Sequence, residues 1–186
     1  MRSKFSISDT NFPEAKVVSP FYAEDERGHF QKGFEEEDFR RLGLETGISE
    51  VFESYSKQSV LRGLHFQTKN PQIKIVRVLQ GGVLDVIVDV RKNSPTFGRW
   101  QSFQLSSENR LSLWIPRGFA HGFYVLSSFA LVSYICIGKY EQGHDTGILW
   151  NDPDLAIEWG NITPIVSGRD AGLMRFSEYA QSSTLP

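Results

Sequence analysis

From about Ser59 onward the chain alternates short β-branched and aromatic runs with breaks of Gly, Pro, Asn and Ser, the rhythm of an antiparallel sandwich or barrel. The spacing predicts strands over Val60–Gln67, Ile73–Gln80, Gly82–Val90, Trp100–Leu105, Arg110–Ile115, His121–Leu126, Leu131–Lys139 and Gly147–Trp150. Turn residues fall between them at Lys69-Asn70-Pro71, Gln80-Gly81-Gly82, Asn93-Ser94-Pro95, Pro116-Arg117-Gly118 and Asn151-Asp152-Pro153. Helical periodicity is scarce. One helix is predicted over Glu35–Leu42, where Glu35, Glu36, Glu37 and Asp38 load the first turn and Arg40 and Arg41 the last, matching the helix dipole. Residues after about Asp154 read as a short carboxy-terminal region whose polar end, Gln181-Ser182-Ser183-Thr184, is expected to be loose.

The pattern makes polar residues on apolar strands the informative ones, because burying them costs free energy unless they find partners or do work. In Leu61-Arg62-Gly63-Leu64-His65-Phe66-Gln67, a two-residue period puts His65 and Gln67 on one face and Leu64 and Phe66 on the other. Arg62 falls on the face opposite His65 in a regular strand, and Gly63 offers an irregular entry that brings both to one cavity. Lys74 interrupts the β-branched run Ile73-Lys74-Ile75-Val76, either as an edge-strand gatekeeper or as an ammonium facing developing negative charge. His121 sits between the small residues Ala120 and Gly122, and Tyr134 shares a strand face with Val132 and Cys136, as a core residue or a functional one. Ser167-Gly168-Arg169-Asp170 lies in a weakly patterned stretch and matters only if that loop folds back over the barrel mouth.

Composition narrows the class. At 186 residues, with 40% hydrophobic and 23% charged, one globular domain spanning 1–186 is expected. A net charge of -2 argues against a nucleic-acid partner. No segment has the apolar length of a signal peptide or membrane span. The single cysteine, Cys136, lies in an apolar run, reads as a small buried hydrophobe and suits a reducing cytoplasm. A metal centre on barrel strands of this kind needs two histidines one residue apart with a carboxylate and a later histidine, and Phe66-Gln67 after His65 breaks that cluster, so no metal is expected. No glycine-rich phosphate loop supports a nicotinamide cofactor or triphosphate chemistry.

The runs Val60-Leu61-Arg62-Gly63-Leu64-His65-Phe66-Gln67, Asp85-Val86-Ile87-Val88-Asp89-Val90-Arg91, Ser94-Pro95-Thr96-Phe97-Gly98, Leu113-Trp114-Ile115-Pro116, Gly118-Phe119-Ala120-His121-Gly122-Phe123 and Ile148-Leu149-Trp150-Asn151-Asp152-Pro153 resemble, in order and spacing, the signatures of dTDP-4-dehydrorhamnose 3,5-epimerases. The resemblance implies an all-β double-stranded β-helix, the cupin or jelly-roll barrel, with a few short helices. It implies a homodimer acting on a nucleotide-sugar substrate without metal or organic cofactor. By position, His65 is the general base, oriented by Asp170, and Tyr134 donates a proton to the opposite face of the ring. Lys74 sits near the C4 oxygen, and Arg27, Arg62 and Arg169 hold the diphosphate. Gln67, His121 and Asp145 contact substrate, and Phe30 packs near the base.

The implied chemistry is physically coherent. A ketone at C4 acidifies the hydrogens on C3 and C5, and an imidazole titrating near neutrality is a fitting acceptor. Two departures bear on base recognition: Lys32 stands where the family commonly has an acidic residue, and Glu53-Ser54-Tyr55-Ser56 replaces a stretch where the family often shows Gln and Asn. The lead expectation is double inversion of dTDP-4-keto-6-deoxyglucose. The alternatives are a single-centre epimerase of another TDP-, CDP- or GDP-linked keto-sugar, a non-catalytic sugar-nucleotide-binding cupin, and a metal-dependent cupin enzyme.

Overall fold

In the computed structural model, which describes residues 5–183, two antiparallel sheets face each other and a separate two-stranded hairpin meets them at Arg110. The strands are β1 (Ser6–Asp9), β2 (Lys16–Ser19), β3 (Phe21–Asp25), β4 (Gly28–Lys32), β5 (Ile48–Lys57), β6 (Leu61–Gln67), β7 (Ile73–Gln80), β8 (Gly82–Asp89), β9 (Trp100–Ser106), β10 (Ser112–Ile115), β11 (Phe119–Val125), β12 (Phe129–Ile137) and β13 (Asp145–Gly147). Three short helices complete it: α1 (Glu36–Arg41), α2 (Gly168–Ala171) and α3 (Phe176–Gln181). One sheet runs β1-β2-β10-β7-β12-β5 and the other β13-β6-β11-β8-β9, while β3 and β4 pair only with each other. This is the all-β barrel with a few short helices that the sequence predicts.

Each sheet buries both faces over much of its area, which is why β8 and β11 read as nearly continuous apolar runs rather than alternating ones. Between the sheets lie Val76, Val78, Ile87, Leu113, Phe119, Phe123, Val132, Tyr134 and Cys136. On the outer face of the five-stranded sheet, Leu64, Phe66, Val86 and Val88 pack against Ile148, Leu155, Trp159 and Tyr179 from the carboxy-terminal segment. Each such aromatic or aliphatic side chain contributes about 1.5–3 kcal/mol by leaving water. Three hydrogen bonds fasten the cover: Trp100 Nε1 to Leu155 O (2.9 Å), Trp159 Nε1 to Trp150 O (2.8 Å) and Tyr179 Oη to Val90 O (2.6 Å). On the far side, Phe39 of α1 packs with Phe5, Ile73, Ile75 and Trp114.

The predicted strands from Val60 to Lys139 all appear, with ends moved by up to two residues. Arg110 adopts φ 59 in the turn before β10, so that strand begins at Ser112. The strand predicted at Gly147–Trp150 lies earlier, at Asp145–Gly147, where it pairs with β6. The first five strands were not predicted. The expected loose carboxy-terminal stretch is corrected as far as the structure describes it: Gln181 closes α3, and Ser182 O accepts from Lys92 Nζ. Thr184 lies outside the described residues. Lys74 is not an edge gatekeeper, because β7 is flanked by β10 and β12.

Candidate active site

The irregular entry expected at Gly63 is built from two facing glycines. Gly63 has φ +114, and a Cβ there would sit 2.6 Å from Gly122 Cα and from His121 O. A Cβ on Gly122 would in turn meet Arg62 O at 2.6 Å. The β6–β11 register shifts between His121 and Phe123 at this contact. As a result Arg62 and His65, which a regular strand would separate, line the same cavity. Leu64 and Phe66 point outward into the carboxy-terminal cover, so His65 faces inward.

The cavity has two adjoining lobes, of about 250 and 200 Å³, that share Phe52, His65 and Lys74 as walls. The outer lobe is bordered by Glu50, Gln67, Gln72, Phe119, Tyr140 and Asp145, the inner by Ser54, Arg62, His121, Phe123 and Tyr134. His65 Nε2 lies 2.7 Å from Asp170 Oδ1. A carboxylate only accepts, so Nε2 carries the hydrogen and Nδ1 is left with a lone pair. Asp170 is only 4% exposed, and its other oxygen accepts from Gly63 N at 3.0 Å. Burial alone would raise its pKa, but the bonds from His65 and Gly63 N and the charge of Arg169 outweigh it and hold Asp170 ionised below the ordinary value.

Asp170 arrives there because Ile165 bridges Val60 in parallel, with Leu61 N donating to Ile165 O (3.0 Å) and Ile165 N to Ser59 O (2.7 Å). Ser167 then caps α2 by accepting from Asp170 N at 3.1 Å. The loop folds back over the barrel mouth.

Tyr134 is 7% exposed and lies across the inner lobe. Its ring stacks on Phe52 (4.6 Å, 13°) and meets the edge of His121 (6.0 Å, 70°). Burial first, then the negative charge of Asp85, pushes the phenol pKa well above its usual value, so Tyr134 is a phenol and not a phenolate at neutral pH. Burial likewise lowers the pKa of Lys74, opposed by Cys136, Asp145, Glu50 and Asp85. Cys136 itself is fully buried, with burial raising its thiol pKa to about 11.

The remaining predicted site residues divide. Arg62 reaches the inner lobe while Nε donates to Ser56 Oγ at 2.9 Å. Asp145 borders the outer lobe and pairs with Arg169 at 2.6 Å, although Arg169 lines neither lobe. Gln67 borders the outer lobe, but its Nε2 donates to Lys69 O, Asn70 O and Lys139 O and its Oε1 accepts from Glu141 N, so its amide is spent on fixing the rim. Arg27 and Phe30 lie on the β3–β4 hairpin, away from both lobes. Arg27 pairs with Asp25 at 2.6 Å, and Phe30 is 57% exposed.

Sequence reasoning missed Asp85 and Phe52. His121 Nε2 lies 2.8 Å from Asp85 Oδ2, making a second buried histidine–aspartate pair. Its signal was a carboxylate inside the apolar run Val83 to Val90, the same reasoning applied to Lys74. Phe52 was hidden because β5 was not predicted. Among the described residues, no three His, Cys, Asp or Glu side chains cluster as metal ligands would.

A buried phenol faces an aspartate-oriented imidazole across a cavity that also holds the Lys74 amine, groups of the kinds that can serve as acid, base and partner of an oxyanion. The family model described as dTDP-4-dehydrorhamnose 3,5-epimerase matches residues 9–178. The chain belongs to the dTDP-4-dehydrorhamnose 3,5-epimerase family. The epimerase is 46% identical to the dTDP-4-dehydrorhamnose 3,5-epimerase of Methanothermobacter thermautotrophicus over 84% of this chain and 85% of that one. It superposes on a Legionella pneumophila dTDP-6-deoxy-D-glucose-3,5-epimerase in complex with dTDP-4-keto-L-rhamnose with a TM-score of 0.88 at 40% identity, covering 94% of this chain and 96% of that one. For a Bacillus anthracis dTDP-4-dehydrorhamnose 3,5-epimerase with TDP and pyrophosphate bound, the TM-score is 0.89 at 40% identity, over 92% and 99% of the two chains. The barrel of this epimerase is therefore the cupin-like fold of that family. Among its described residues no helix is long and apolar enough to cross a membrane.

Proposed function

We propose that the protein inverts C3 and C5 of dTDP-4-keto-6-deoxyglucose by proton transfer through enolates, giving dTDP-4-keto-L-rhamnose. The observation that carries this reading is the pairing of the His65–Asp170 dyad at 2.7 Å with the buried Tyr134 phenol across one cavity. His65 Nδ1 takes the proton from the carbon beside the ketone. Charge moves to the C4 oxygen, where the Lys74 ammonium offsets it, and a lost donor of this kind costs about 3–4 kcal/mol in comparable sites. Tyr134 returns a proton on the opposite face of the ring, which inverts the centre. Base, acid and oxyanion partner all come from side chains, so the reaction needs neither metal nor organic cofactor.

Arg62 lines the inner lobe and Arg169 stands behind Asp145 at the outer one; both suit the diphosphate, with Asp145 releasing Arg169 when phosphate competes for it. His121 lines the inner lobe beside the sugar, and Gln67 shapes the rim the sugar passes. Arg27 and Phe30 join such a site only if a second copy brings its hairpin across, which fits a homodimer. The unpaired edge of β5 exposes Ile48 (43%), Val51 (60%), Phe52 (43%) and Tyr55 (58%), an apolar strip that a partner would cover. A buried free thiol suits a cytoplasmic enzyme.

The test is proton NMR of the substrate with enzyme in heavy water. Deuterium should enter at both C3 and C5, and His65→Ala should abolish exchange at both while the fold is retained. Binding without exchange would turn the reading into a non-catalytic cupin, and label at one carbon would make it a single-centre epimerase.

A further inference from the structure

The proposed chemistry leaves a proton imbalance. Each inversion moves one proton from carbon to His65 and one from Tyr134 to carbon, so the site ends as imidazolium and phenolate. Net charge is conserved, but neither group is ready for a second inversion until one proton passes from His65 back to Tyr134. The sugar ring lies between them, since they serve its opposite faces. Tyr134 is 7% exposed and covered by Phe52, so bulk water reaches its hydroxyl poorly while the cavity is filled.

The wall of the barrel offers a way around. His121 and His65 are direct register partners on β11 and β6. Such neighbours in an antiparallel pair project to the same face with Cβ atoms about 4.5–5.5 Å apart. On its other side the His121 ring contacts Tyr134, with centroids 6.0 Å apart. His121 is 4% exposed, and its Nε2 hydrogen is committed to Asp85 Oδ2 at 2.8 Å, which leaves Nδ1 to gain and lose a proton. Asp85 is fully buried, and its Oδ1 has no hydrogen-bond partner among the described residues. A buried carboxylate with a spare acceptor is costly for a merely structural pair, and it is well placed to steady a transient imidazolium.

Resting on the proposed roles of His65 and Tyr134, we infer that His121, held by Asp85, is a proton-return relay that carries the proton from His65 back to Tyr134 between the two inversions. In the first step His65, a quarter exposed and so able to trade its extra proton for one from solvent, gives that proton to His121 Nδ1, making His121 an imidazolium paired with Asp85. In the second, the Tyr134 phenolate takes that proton and His121 returns to neutral. The overall direction is downhill, because an imidazolium is intrinsically a far stronger acid than a phenol. Asp85 acts through His121 and is a positioning residue.

The relay is tested by rapid-quench single-turnover measurement of the two inversions separately, with the full-length protein and dTDP-4-keto-6-deoxyglucose. In His121→Ala the second inversion should slow relative to the first by about tenfold or more, and added imidazole should restore the ratio, as an external proton carrier does for a missing internal one. Asp85→Asn, nearly isosteric, should lower the same ratio and covers the case in which His121→Ala fails to fold. Equal slowing of both steps without imidazole rescue, or an unchanged ratio in both variants, would overturn the relay. Exchange persisting in His65→Ala would instead sink the assignment of the base, so the two failures are distinct.

Discussion

A phenol that resists ionisation is a poor base but a dependable keeper of a proton, and this sets what Tyr134 does. Tyr134→Phe removes that proton while keeping the stack on Phe52. Solvent exchange initiated by His65 should survive, whereas net inversion should fall by roughly 10²–10⁴-fold. Comparing deuterium uptake with product formation measures both, and parallel loss of the two would count against the division of labour. Lys74 gives a second prediction. Burial lowers its pKa from 10.5, so the ammonium is lost, and activity with it, at a lower pH than for an exposed lysine. Glu50 is among the charges that oppose this shift, so Glu50→Gln should move the alkaline limb of the kcat profile further down in pH. A limb that stays put would remove Lys74 from the oxyanion role. At this scale His65, Lys74 and Tyr134 were legible because each is polar on an otherwise apolar strand. Asp85 carried the same mark and was passed over, while Phe52 had none, since an aromatic residue on a strand reads as ordinary packing.

Among the elements, the contact between β6 and β11 matters most, because it turns Arg62 and His65 into one cavity. Gly122→Ala places a methyl 2.6 Å from Arg62 O and 2.9 Å from Leu64 Cδ2. The strands must separate there, and destabilisation of about 2–3 kcal/mol is expected, as for other overpacked sites. Gly143 is the control: it has φ +83 but nothing within 4 Å, so Gly143→Ala should cost only the backbone strain of about 1–2 kcal/mol. Urea unfolding of both variants checks the order, and equal losses would mean that the close approach contributes little. The strands from β6 to β12 were readable because their β-branched runs end in strong turn residues. β1 to β5 were not, because they are short or lie at sheet edges and mix Ser, Glu and Lys into their apolar positions. Helices α2 and α3 are too brief to display a period, and they owe their place to the packing of Tyr179 and the capping of Ser167.

For the molecule as a whole, assembly turns on the β5 edge and the β3–β4 hairpin. Val51→Glu together with Tyr55→Glu puts two like charges on that exposed strip. If the strip joins two copies, light scattering should show the mass falling from dimer to monomer, and nucleotide affinity should weaken as Arg27 and Phe30 leave the partner's cavity. A wild-type protein already monomeric would remove both residues from the site. The fold class was legible from the strand rhythm and the resemblance alone. The position of the hairpin was not, because what ties it to the barrel is a set of polar contacts with Arg110, which stacks on Tyr22 (3.8 Å) and accepts from Gln31 Nε2, and no apolar pattern announces them.

The aspartate that orients His65 is separated from it by 105 positions and held by a segment that closes over the barrel last in chain order. A chain emerging from the ribosome folds from its beginning, so the imidazole, the amine and the phenol are all synthesised before the carboxylate that orients the first of them. On the proposed assignment, catalytic competence is thus a late event in the life of the polypeptide. A molecule clipped before Asp170 loses the partner of His65 and, with Tyr179, part of the outer core, so dyad and packing go together.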